Sequence, residues 1–146
     1  MLFTHVLIPT DGSELSERAS ATGIRFAKEM KASITGVSVI PKFRVLAYEA
    51  GLADDTKDHF LAESRVRAER HLAALKRAAE EEGVVCDTVV EASDQIDDAI
   101  VQTAEAKGCD LILMASRGRR GVRSLLLGSE TQKVLTHTKI PVLICH

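Results

Sequence analysis

The sequence predicts an α/β fold: a doubly wound, five-stranded parallel sheet with helices on both faces. Short apolar runs alternate with helical periodicities from end to end, which is the pattern of βαβ units whose strands are buried on both sides. The chain has 146 residues, 45% hydrophobic and 27% charged, which suits one domain (1–146) with a sizeable core. One apolar run, Asp110 to Met114, leads into a stretch rich in glycine and arginine that ends where a helix begins.

The first strand is expected at His5–Pro9. A helix follows Asp11-Gly12-Ser13, where Ser13 can cap and the carboxylates of Glu14 and Glu17 favour the positive end of the helix dipole. Leu15, Ala19, Ile24, Ala27 and Met30 recur at helical spacing, and a second strand is placed at Ser33–Val39. Between Ile40 and Asp55 the pattern breaks into a segment too long for a plain βα connection. Its Phe43, Val45, Leu46 and Tyr48 either close over a ligand or pack on the next helix. That helix is long, about Thr56 to Glu82, with Leu61, Ala68, Leu72, Leu75 and Ala79 on one face. The stripe lasts fewer than three heptads and reads as a sheet-facing surface, not a coiled coil. A third strand is placed at Val84–Glu91. Asp94 can cap a third helix carrying Ile96, Ala99, Ile100 and Ala104 and ended by Gly108. Strands at Asp110–Ala115 and Pro141–Cys145 flank a last helix that opens at Gly128-Ser129 and runs towards His137.

Bulk properties narrow the function. A net charge of −2 and a pI near 6.2 give no general attraction to nucleic acid or an anionic membrane. No apolar run approaches the roughly 20 residues that span a bilayer, and Met1 leads straight into a strand without a signal-peptide pattern, so a cytoplasmic location is expected. Cys86, Cys109 and Cys145 are odd in number and widely spaced. They suit a reducing compartment and read as small buried hydrophobes. His5, His59, His71, His137 and His146 show no metal-ligand spacing, so no metal site is expected.

The chemistry concentrates in Met114–Ser129. A strand delivers this loop and a helix N-terminus faces it, an arrangement whose unpaired N–H groups and dipole favour an anion. Gly118, Gly121 and Gly128 let the backbone approach a ligand closely or take positive φ. Ser129 adds a hydroxyl, and Arg117, Arg119, Arg120 and Arg123 add positive charge. The bland alternative is a flexible, solvated connection. Neither Gly-x-x-x-x-Gly-Lys-Ser/Thr nor Gly-x-Gly-x-x-Gly after the first strand is present, so a nucleotide site here is of another type.

Four segments, His5–Ser13, Ala32–Val39, Asp110–Ser129 and Val134–Cys145, resemble the universal stress protein family, single-domain bacterial type, near its ATP-binding branch. The resemblance implies a Rossmann-like strand order of 3-2-1-4-5. In such sheets the ligand lies at the switch point, here between the first and fourth strands. That branch carries Gly-x-x-Gly, nine residues, then Gly-Ser/Thr. In this chain the second glycine is Gly118 and the closing pair is Gly128-Ser129, but the first glycine is Ala115. A methyl group at a backbone-to-ligand contact costs on the order of 1–3 kcal/mol, about tenfold to a hundredfold in affinity, or is absorbed by a small shift. Asp11, at the end of Pro9-Thr10-Asp11, is either a partner of ribose hydroxyls, since a carboxylate accepts two, or a turn residue of Asp-Gly-Ser. By resemblance the Val39 backbone meets the adenine edge. Gly118, Gly128 and Ser129, with Glu130, surround the phosphates at the loop that Met114, Ala115 and Arg117 begin.

These readings predict a stress-response or signalling module that binds ATP or AMP, with Mg²⁺ accompanying ATP, and that is not a dedicated enzyme. Nothing in the sequence supplies a catalytic base or a Mg²⁺-binding carboxylate pair near the loop. The alternatives are a dimeric interaction protein of the same fold with a weakened site, and a slow ATP hydrolase. The apolar last strand predicts a homodimer paired through Pro141–Cys145.

Overall fold

A computed structural model describes residues 2–42, 54–118 and 127–146. The residues expected to form a closure, Phe43, Val45, Leu46 and Tyr48, lie outside the described residues, as do Arg119, Arg120, Gly121 and Arg123. Strands and helices alternate as β1 (His5–Pro9), α1 (Glu14–Met30), β2 (Ser33–Ile40), α2 (Asp54–Glu81), β3 (Cys86–Ala92), α3 (Ile96–Ala106), β4 (Leu111–Ala115), α4 (Ser129–His137) and β5 (Val142–Cys145). The five strands form one sheet in the order β3-β2-β1-β4-β5, all parallel.

Side chains that alternate along the central strands feed two cores. Ile8, Ile34 and Leu113 pack with Ala19 and Ile24 of α1 and with Leu75 and Ala79 of α2 on one face. Leu7, Val37 and Ile112 pack with Ile100 and Ala104 of α3 and Val134 of α4 on the other. β1 therefore sends its helix to one face and β4 to the opposite one, which makes the β1/β4 boundary the switch point. On α2, Ala68, Leu72, Leu75 and Ala79 of the expected stripe are buried, whereas Leu61, nearer the start of the helix, is only half-buried.

Three local expectations are corrected. β3 begins at Cys86, not Val84. Gly83 takes φ +77° and the Val84 N–H donates to the Ala79 carbonyl at 2.9 Å, so these residues finish the helix. Asp94 does not cap α3. Its carboxylate accepts the Lys42 N–H at 3.0 Å, and the N-cap is Gln95, without a side-chain cap bond. Cys145 is only half-buried, whereas Cys86 and Cys109 are buried. Burial pushes both of those thiols up to about 11, so they are held as unreactive neutral groups.

The end of the sheet remote from the switch point is tied by Asp110. Its carboxylate accepts the Thr4 N–H at 2.9 Å, the Thr4 hydroxyl at 2.9 Å and the His5 N–H at 3.0 Å. Burial raises its pKa, but the donors from His5 and Thr4 outweigh this and hold the carboxyl below its ordinary value. A depressed carboxylate contributes stability that is present above the unfolded pKa and is lost as pH falls through the folded one. Asp110→Asn is expected to cost about 1 kcal/mol at neutral pH, the low end for bonds to a charge because this end of the sheet is wet. Urea melts from neutral to acid pH should show the gap from wild type closing below the ordinary carboxylate pKa. A gap that does not change with pH would show that the carboxylate charge is not what holds the strands.

Candidate functional site

Pairing between β1 and β4 is confined to Val6 with Leu111 and Leu7 with Ile112. Beyond that point each strand stays with its outer neighbour. β1 pairs with β2 as far as Pro9 with Val37, and the Thr10 N–H donates to the Val37 carbonyl at 2.9 Å. β4 pairs with β5 as far as Ala115 with Cys145, and the Ser116 N–H donates to the Cys145 carbonyl at 2.8 Å. The two central strands part, and their C-terminal ends bound a crevice.

The β1 wall is a turn tied by short polar side chains. Ser16 Oγ donates to Thr10 Oγ1 at 2.8 Å and accepts the Asp11 N–H at 3.2 Å. Asp11 Oδ1 accepts the Ser13 N–H at 2.9 Å, and Ser13 Oγ caps α1 by accepting the Ser16 N–H at 3.2 Å. Asp11 thus takes the turn role through Oδ1, and its Oδ2 faces Gly118, where a Cβ would lie 2.9 Å from it.

The β4 wall returns on itself. The Gly128 N–H donates to the Ser116 carbonyl at 2.7 Å, and a Cβ on Gly128 would lie 2.9 Å from Arg117 Cα. Gly128 is needed because two backbones cross there, not for its torsions, since its φ is −61°. Positive φ is likewise absent at Gly118, which corrects that part of the glycine expectation. Gly128 is the N-cap of α4 and has no side chain with which to cap it. Ser129, exposed at the first position of α4, therefore begins a helix whose leading N–H groups suit an anion. Thr131 Oγ1 donates to the Ala115 carbonyl at 3.0 Å, which ties α4 to the end of β4.

Three expected site residues sit differently from the others. The side chain of Ala115 belongs with Leu111 and Leu113 to the core on the α1 and α2 face, and Met114 belongs with Ile112 to the opposite core. Their contribution to the crevice is main chain only. Glu130 brings a carboxylate to the same helix N-terminus. Its Oε1 lies 3.6 Å from Lys133 Nζ, while Oε2 is buried without a hydrogen-bond partner among the described residues. Its N–H, not its charge, is the group that suits a phosphate. Val39 lies on β2, two residues past the partner of Pro9. Arg117 is half-buried at the base of the loop.

Among the described residues no group of three His, Cys, Asp or Glu side chains is placed to hold a metal ion, and no helix is long and apolar enough to cross a membrane. A shallow hollow lined by Lys76, Glu80 and Val84–Asp87 lies at the start of β3, at the opposite end of the strands from the crevice.

A family model, the universal stress protein family, matches residues 2–146. The chain belongs to this family. The universal stress protein MJ0531 of Methanocaldococcus jannaschii is 32% identical over 143 residues, which is 98% of this chain and 82% of that protein. Among solved structures, the universal stress protein UspA from Lactobacillus plantarum superposes with a TM-score of 0.86 at 19% identity, covering 100% of this chain and 99% of that one. A universal stress protein in complex with cAMP gives 0.72 at 23% identity and covers 100% and 99%. The Archaeoglobus fulgidus protein in complex with dAMP gives 0.70 at 18% identity and covers 99% and 98%. These likenesses show the fold.

Sequence reasoning missed Ser16, Ser116 and Thr131, which tie the walls of the crevice together. Ser16 stands three residues after the capping Ser13, a local signal. The other two act through partners that only the folded chain brings near.

Proposed function

We propose that the crevice between β1 and β4 binds ATP or a related adenine nucleotide such as AMP. The protein would then be a cytoplasmic stress-response or signalling module whose single domain, 1–146, changes partner choice with nucleotide. The observation that carries this reading is the approach of Gly118 to Asp11 Oδ2 across the parted strands, beside the uncapped start of α4. A carboxylate able to accept from ribose hydroxyls and N–H groups able to bind phosphate then border one crevice. Family structures holding cAMP and dAMP support an adenine nucleotide as the ligand class. Pro9, Thr10 and Asp11 would form the ribose side, Val39 the adenine edge, and Arg117, Gly118, Gly128, Ser129 and the Glu130 N–H the phosphate side, with Mg²⁺ carried by the phosphates of ATP.

The reading is of a binder. It predicts ATP turnover well below the roughly 1–10³ s⁻¹ of dedicated enzymes. Titration calorimetry and thermal melts test it. Nucleotide at about 100 times its Kd should raise stability by roughly 2.7 kcal/mol, and no response to millimolar ATP or AMP would overturn it. One observation favours the alternative of a dimeric interaction protein with a weakened site: Glu130 puts a negative charge in the first turn of α4, where it opposes the binding of an anion.

A further inference from the structure

We propose that His71 is a positioning residue for Asp11, and that the long helix α2 thereby sets nucleotide affinity. The inference rests on the nucleotide reading of the crevice. Gly12, between Asp11 and Ser13, takes φ +78°, and a Cβ built on it would fall within the imidazole of His71, against Cε1, Nε2 and Nδ1. The ring occupies the volume that a side chain at position 12 would fill.

The turn is therefore gripped from two sides. The hydroxyls of Thr10 and Ser16 hold it from within, and the half-buried ring of His71 covers it from α2. A glycine at positive φ is the freest point of a backbone. Without the ring, the segment that fixes Asp11 Oδ1 on the Ser13 N–H, and so aims Oδ2 at Gly118, loses its outer wall. The helix cannot slide to relieve the contact, because Ala68, Leu72, Leu75 and Ala79 lock its register on the core. The ring is therefore a fixed wall against which the Asp11 turn is held.

Two readouts test the proposal on the full chain: the Kd for ATP, and hydrogen exchange of the Ser13 amide. His71→Ala should weaken ATP binding about fivefold and speed Ser13 exchange by about tenfold. His71→Phe, which keeps a ring of similar thickness, should restore both. A merely structural His71 would lower the melting temperature without changing the Kd of the folded protein. Gly12→Ala should harm binding more in wild type than in the His71→Ala background, because removing the ring relieves the overlap. Unchanged Kd and unchanged Ser13 exchange in His71→Ala would overturn the proposal, as would strict additivity of the two substitutions. If wild-type protein binds no ATP, the nucleotide reading fails and takes the affinity role of His71 with it. Faster Ser13 exchange in His71→Ala would then still separate that failure from a failure of the contact itself.

Discussion

Gly128→Val is expected to abolish adenine-nucleotide binding, whereas Ala115→Gly is expected to leave affinity within about twofold. The two substitutions separate the glycines that the fold requires from the one it does without. At Gly128 a Cβ would lie 2.9 Å from Arg117 Cα and 3.4 Å from the Ser116 carbonyl oxygen. Both neighbours are main chain and cannot rotate away, so a branched side chain must push α4 off the end of β4. Such overpacking costs about 1–3 kcal/mol of stability, and it moves the leading N–H groups of α4 away from the end of β4 that Thr131 ties them to. At Ala115 the side chain packs in the α1-side core, so removing the methyl group costs roughly 0.5–1 kcal/mol of stability, as glycine does in a strand, without reaching a ligand. Calorimetry with ATP and urea melts on both variants check this. Ala115→Gly binding at least tenfold more tightly than wild type would restore the view that this methyl group strains a ligand contact.

The Ala115 case shows what spacing alone cannot supply. The pattern of Gly118 and Gly128-Ser129 is legible in the sequence because strand, loop and helix follow one another locally. Whether a methyl at position 115 meets ligand or core depends on which face of β4 it occupies, and that is fixed by packing against α1. The alternation of strands and helices, the register of α2 and the Ser13 cap were legible for the same local reason. Asp94 was misread because Asp is a good N-cap, yet a long-range acceptor role for the Lys42 N–H won. The strand order came from family resemblance, not from periodicity. The approach of Asp11 to Gly118 joins residues 107 positions apart in the chain, which no local pattern encodes.

We further propose that the protein is a homodimer paired antiparallel through β5, and Ile144→Pro is expected to weaken that dimer about thirtyfold. β3 and β5 are the two edges of the sheet, and they differ in chemistry. β3 carries Asp87 and Glu91, charges of the kind that discourage strand addition, while β5 reads Val-Leu-Ile-Cys. The carbonyls of Pro141 and Cys145 accept from β4, so alternation turns the N–H and C=O of Val142 and Ile144 outward, along the open edge. A two-fold axis at that edge would satisfy these groups with one self-complementary patch. Proline at 144 removes an outward donor from each copy, two hydrogen bonds at about 1 kcal/mol each, which is the source of the thirtyfold. It leaves the pairing with β4 intact, because an edge strand tolerates proline where its N–H faces away from the sheet. Leu143→Lys is the companion test, since Leu143 is 39% exposed and a lysine there spares the monomer core that Val142 helps to line. Sedimentation equilibrium at tens of micromolar should show wild-type dimer and Ile144→Pro largely monomer. A wild-type monomer at that concentration, or an Ile144→Pro dimer of unchanged strength, would place the contact elsewhere.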